Sequence, residues 1–210
     1  MTFYSQHLQD KYLYDNFFKD KKEKGVFVDI GAHDGIDISN TYFYEKELGW
    51  SGICIEPIKS RFESLKKNRS CICIYGCISD VVGEEDFITF PEYTDMLSGI
   101  KKTFDVTVEN MVNKKIAINN HMSKTIKVKS YNINNILKEN NINHIDFASI
   151  DTEGSELIIL NTLNFDEFSI DYFLIENNKY DNSIHKFMRD KNYNLVEKLG
   201  CDEIYKKNSI

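Results

Sequence analysis

Residues 26–41, VFVDIGAHDGIDISNT, constrain the fold more than any other part of the chain. A β-branched apolar run ends in an acid, glycines follow at 31 and 35, and polar residues lead into a helical pattern. A strand, a glycine loop and a helix in this order let backbone approach a nucleotide-like ligand closely. Asp29 stands just before the first glycine and places a carboxylate where a phosphate would be repelled. The loop therefore suits a ligand whose nearby group is cationic or uncharged.

The rest of the chain repeats this alternation. Leu8, Tyr12, Leu13 and Phe17 fall at helical spacing and predict an amphipathic helix over 5–22. A strand over 26–32, apolar on both faces, reads as buried and parallel. A helix over 39–48, a strand over 52–56 closed by Pro57, a helix over 59–68 and a strand over 71–78 follow. That pitch gives a doubly wound sheet with right-handed crossovers. Strands over 85–91 and 125–129 and a helix over 132–140 surround a poorly patterned stretch, 101–123. A strand over 145–150, a helix from Ser155, a strand over 172–175 and a helix over 183–190 restore the alternation. Residues 193–199 and 202–206 form a terminal antiparallel hairpin around Gly200.

At 210 residues the chain reads as one domain, 1–210, with a helical cap over 1–24 and a variable insertion over 101–124 that could serve as a lid. The net charge of −7 argues against a nucleic-acid surface. No apolar run approaches the roughly 18 residues of a membrane span, so no membrane insertion is expected. The five cysteines lack CxxC spacing. Without a leader pattern they predict free thiols and a cytoplasmic location. Cys71, Cys73 and Cys77 read as residues of a buried strand rather than as a zinc site.

Ligands of open α/β sheets collect at the carboxyl ends of the strands. The polar strand ends are Asp29–Gly35, Glu56, Ser79-Asp80, Asp151–Glu156 and Glu176–Asn178. Glu56 lies about twenty residues past the glycine loop, where an acid binds ribose hydroxyls. Asp80 could accept from an adenine amino group or simply form a turn. His33 occupies the second glycine position of a GxGxxG fingerprint, which argues against a nicotinamide cofactor. An imidazole there could act as a base or be an ordinary loop residue. Acids in a first helical turn stabilise the helix dipole, a local reading of Glu153 and Glu156 that leaves Asp151 unexplained. Tyr42, Phe43 and Tyr44 read as core packing.

Taken in order, SQHLQD (5–10), DIGAHDG, SNT, GWSGICIEP, LSG (97–99) and DTEGSE (151–156) resemble the FkbM-like family of class I S-adenosylmethionine-dependent methyltransferases. The resemblance implies a Rossmann-like α/β fold with a mostly parallel seven-stranded sheet, the terminal hairpin, and helices on both faces. It implies an O-methyltransferase for a hydroxyl of a sugar or glycan. The alternatives are a small-molecule or N-methyltransferase, or an inactive cofactor-binding module. S-adenosylmethionine would be held by Asp29, Gly31, Ala32, Gly35, Asn40, Glu56, Ser79 and Asp80. Ser5, Gln6, Gln9 and Asp10 would fold over the site as a flap. Asp151, Glu176 and Asn177 resemble the Mg²⁺ ligands of catechol-type enzymes. The metal-free alternative makes Asp151 or His33 the general base, oriented by Glu153 or Glu156. The expected partner is a sugar, glycan or other small acceptor, with homo-oligomerisation left open.

Overall fold

The computed structural model describes residues 1–116, 122–178 and 182–208. Residues 117–121, within the expected insertion, lie outside that description, as does His121. In chain order the strands begin with β1 (Val26–Ile30), β2 (Ser51–Glu56), β3 (Ile72–Tyr75), β4 (Cys77–Ile78), β5 (Gly83–Thr89) and β6 (Gly99–Ile100). They continue with β7 (Lys124–Tyr131), β8 (His144–Ile150), β9 (Ser169–Glu176), β10 (Tyr193–Leu199) and β11 (Asp202–Lys207). The helices are α1 (Gln9–Leu13), α2 (Tyr42–Leu48), α3 (Lys59–Asn68), α4 (Val106–Ile116), α5 (Ile133–Glu139), α6 (Glu156–Thr162) and α7 (Ser183–Asp190).

The main sheet runs β3-β2-β1-β8-β9-β11-β10. Its first five strands are parallel, and β11 runs antiparallel to both neighbours. Alternate side chains of the central strands face opposite layers, as the strand period requires. Val28, Ile30, Ala148 and Ile150 pack with Ile133, Leu137, Ile159, Leu160 and Met188 of α5, α6 and α7. Phe27, Cys54 and Phe147 pack with Leu13, Phe18, Phe43, Tyr44 and Leu65 on the other face. Phe43 and Tyr44 are thus core residues, and no helix is long and apolar enough to cross a membrane among the described residues.

Two elements differ from the sequence-based expectation. The segment 71–78 is not one strand. Gly76, at φ +147°, breaks it where an added Cβ would lie 2.5 Å from the Lys129 carbonyl oxygen. Cys77 and Ile78 therefore leave the main sheet and pair with Ser130 and Tyr131. They start a second sheet, β4-β7-β5-β6. The N-terminal helix is also shorter than expected. Leu8 adopts φ +63° and is exposed, and after α1 the chain widens into a π-helical turn at Tyr14–Phe18. The unpatterned stretch contains α4, whose Val112 packs with Ile88, Phe90 and Phe104.

Candidate active site

The tips of β1, β2, β8 and β9 open on one side of the sheet, and the loops that follow them line a cleft of about 280 Å³. Gly31 sits where two of these tips meet. Asp151 donates its N–H to the Ile30 carbonyl at 3.0 Å, so β8 runs against the glycine loop. Gly31 has φ +94°, and a Cβ there would stand 1.8 Å from the Asp151 carbonyl oxygen. Only glycine fits. Gly31 and Ala32 in turn donate to the Ile55 carbonyl at 3.0 and 3.1 Å, fixing the loop to β2.

At one end of the cleft the acids are held by hydrogen bonds. Glu56 is buried, and its two oxygens accept from His33 N at 2.8 Å and Ile58 N at 2.6 Å. Burial outweighs these bonds and pushes its carboxyl up to about 8. Asp29 accepts from Thr41 Oγ1 at 2.5 Å. Burial raises its carboxyl too, and nearby Arg69 counters that. Asn40 lines the cleft and donates to Ser149 Oγ at 3.1 Å, while its Oδ1 is buried and without a hydrogen-bond partner among the described residues. The apolar wall comes from Ile55, Ile58, Ile78, Phe87 and Ile100.

The other end is a crowd of carboxylates. Ligand oxygens of Asp151, Glu153 and Glu176 lie within 4.8 Å of one another. Asn178 Nδ2 bridges Glu176 at 2.6 Å and Glu153 at 3.2 Å, and Glu153 N donates to Glu176 at 3.3 Å. Burial, then mutual repulsion, drives Asp151 and Glu176 well above the usual carboxylate range. Burial, then repulsion from Glu156, brings Glu153 up to about 7. Glu153, Glu176, Asn178 and Leu97 also line a second, larger cavity of about 730 Å³ walled by the β6–α4 loop, α4 and α6.

Several sequence-selected residues take other places. Gly35 is buried, and its Cα faces Leu65 and Arg69 of the packed layer instead of the cleft. Ser79 and Asp80, carried past the cleft by the bend at Gly76, are tied to Lys102 along with Glu85. Asn177 is buried and lines only the second cavity, so the carboxylate beside Asp151 and Glu176 is Glu153. Glu156 does not reach into the cluster. Its Oε1 accepts from Thr152 N at 2.9 Å, Thr152 Oγ1 at 2.8 Å and Gly154 N at 3.1 Å, and so shapes the loop that presents Glu153. The His33 ring lies at the hydrogen-bonded end, with Nε2 3.3 Å from Asp95, a carboxylate that Arg61 also grips at 2.5 and 3.0 Å.

In the N-terminal segment Gln6 lines the cleft. Ser5 and Asp10 bond each other at 2.6 Å, and Gln9 donates to Asp202. Asp202, whose charge helps raise the Asp151 carboxyl, and the 3-10 turn Glu92–Leu97, whose Asp95 lines the cleft, carry no local sequence signature of a site. Asp202 was legible in principle, because a hairpin register places it beside Glu176.

A mostly parallel sheet whose central strand ends in a glycine loop, with carboxylates on neighbouring strand tips, is a Rossmann-like arrangement consistent with an α/β methyltransferase. The model of the Methyltransferase FkbM domain matches residues 29–195. The chain belongs to this methyltransferase family. No curated protein matches it.

Proposed function

We propose that the protein transfers a methyl group from S-adenosylmethionine to a hydroxyl of a sugar or glycan. The observation that carries this reading is the junction of two cavities at Glu153, Glu176 and Asn178, one suited to a donor and the other to an acceptor.

The residues of the smaller cleft fit the donor. Glu56 retains lone pairs for two ribose hydroxyls, because each oxygen accepts only one amide. The unpartnered Asn40 Oδ1 and the Asp29 carboxylate suit an ammonium group. The apolar wall from Ile55 to Ile100 suits a flat base. When bound, the sulfonium donor supplies an electrophilic methyl group. The protein must hold an acceptor oxygen in line with it and take the hydroxyl proton. Glu153, which faces both cavities and titrates near neutrality, is placed to take that proton, with Asp151 and Glu176 beside it. Asn178 keeps Glu153 and Glu176 together. Glu156 holds the loop from Thr152 to Gly154 so that Glu153 keeps its position.

The 4.8 Å carboxylate triad supports a second version of the same reaction. Asp151, Glu153 and Glu176 would hold a divalent cation such as Mg²⁺, which would lower the acidity barrier of a bound hydroxyl. Turnover of a monosaccharide panel with labelled donor, in Mg²⁺ and in chelator, tests both versions. Full activity in chelator removes the cation, and transfer to amines alone removes the O-methyl reading.

A further inference from the structure

One stretch of the smaller cleft's wall is the short turn Glu92–Leu97, which belongs to neither sheet. Asp95, Met96 and Leu97 line the cleft from it. Met96 is also 46% exposed, so the turn is a thin wall with cleft on one side and solvent on the other. Leu97 lines the larger cavity too, and packs with Ile88, Phe90 and Phe104.

Several of the bonds that shape the turn are local. Thr94 Oγ1 donates to the Pro91 carbonyl at 2.6 Å, Ser98 N donates to the Asp95 carbonyl at 3.1 Å, and Phe90 N donates to Ser98 Oγ at 3.1 Å. Asp95 reaches further. Its buried carboxylate accepts from Arg61 of α3, with Nε at 2.5 Å and Nη2 at 3.0 Å, and its Oδ1 lies 3.3 Å from His33 Nε2. A two-point guanidinium–carboxylate fork is stronger and more directional than a single neutral hydrogen bond.

His33 carries the contact onward. Its φ of +51° is uncommon for a residue with a Cβ, and its backbone N donates to Glu56 at 2.8 Å. One residue therefore joins the turn to the acid assigned above to the ribose hydroxyls. The imidazole lines the smaller cleft and not the larger cavity, with Nε2 facing Asp95 and Nδ1 buried.

We infer that Asp95 is a positioning residue for the donor: through Arg61 and His33 it holds the turn against the cleft, and donor release waits on the opening of this contact. This rests on the reading of the smaller cleft as the donor site. His33 then serves as a strut between the turn and Glu56 rather than as a base. Leu97, carried by the same turn, moves at the boundary of the two cavities when the contact opens.

Release of labelled S-adenosylmethionine from the purified full chain, chased with excess S-adenosylhomocysteine, tests the assignment. Asp95→Asn keeps the shape and removes the charge. It is expected to release donor at least about tenfold faster, the size of one charge-assisted hydrogen bond lost, and Asp95→Glu to recover part of that. A residue that only supported the fold would lower the melting temperature of the ligand-free protein and leave the release rate alone. Release at the parent rate in Asp95→Asn overturns the inference while leaving the donor-site reading in place. If Asp95→Asn does not fold, Arg61→Lys decides, because it keeps the charge and loses the fork. Release about threefold faster in that variant supports the inference, and an unchanged rate overturns it. If the parent protein binds no S-adenosylmethionine in calorimetry, the donor-site reading falls and the inference falls with it.

Discussion

The two ends of the cleft hold acids in opposite ways. At the Glu56 end each carboxylate has its own partners, two backbone amides for Glu56 and Thr41 with Arg69 nearby for Asp29. At the Glu153 end the acids face mainly one another, with Asn178 as a shared donor. The first arrangement is that of a fixed binding surface, where satisfied groups hold one geometry. The second packs carboxylates against one another next to a large cavity, which is what proton transfer or cation binding needs. Burial raises the proton affinity of the acids at both ends, and at Asp151 and Glu176 repulsion between acids is the next largest cause.

Substitutions should separate the two ends. Gly31→Ala has the largest expected effect because it strikes both. Its Cβ has no room beside the Asp151 carbonyl, and its φ is strained. It should abolish donor binding in calorimetry and cost about 3 kcal/mol or more in urea unfolding. Glu153→Gln should act on one end only. Transfer should fall by about 10²–10⁴-fold, with donor affinity nearly unchanged. In return it relieves repulsion, so the melting temperature near pH 8 should rise by about 2–4 °C for each kcal/mol recovered.

The pH dependence of stability sharpens the comparison further. Glu56 binds its proton more tightly folded than unfolded, so its contribution is complete below the ordinary carboxyl pKa and is lost as pH rises through about 8. Glu153 behaves likewise through about 7. The ligand-free protein in chelator should therefore lose melting temperature from pH 5 to pH 9. Glu56→Gln should flatten that decline up to about pH 8, and Glu153→Gln only up to about pH 7. A melting temperature that climbs across this window would contradict the raised acids. The smallest effect is expected at Asp80, which is exposed, is paired with Lys102 and lines neither cavity. Asp80→Ala should change donor affinity by less than about twofold, a few tenths of a kcal/mol in binding terms.

The sequence carried the β1 loop, the strand tips and α3 and α7 because each has a local signature: a glycine pair, an acid after an apolar run, helical spacing. It did not carry the bend at Gly76. That glycine lies inside an apolar run, and its conformation is set by the approach of Lys129, 53 residues away. One unseen bend moved Ser79 and Asp80 off the cleft and created the second sheet. The choice between Glu153 and Asn177 was equally non-local. Both follow a strand tip closely, and the loop shape imposed by Glu156, with Glu153 at φ +57°, brings the Glu153 carboxylate beside Asp151 and Glu176.

The central claim is that the Glu56 end binds the donor and the Glu153 end performs the transfer. Calorimetric titration of S-adenosylmethionine into Glu56→Gln and Glu153→Gln tests it most directly. The account predicts that Glu56→Gln weakens binding by at least about tenfold, roughly 1.4 kcal/mol, whereas Glu153→Gln binds like the parent protein. Unchanged donor affinity in Glu56→Gln, with loss of binding in Glu153→Gln, would reverse the two ends and contradict it.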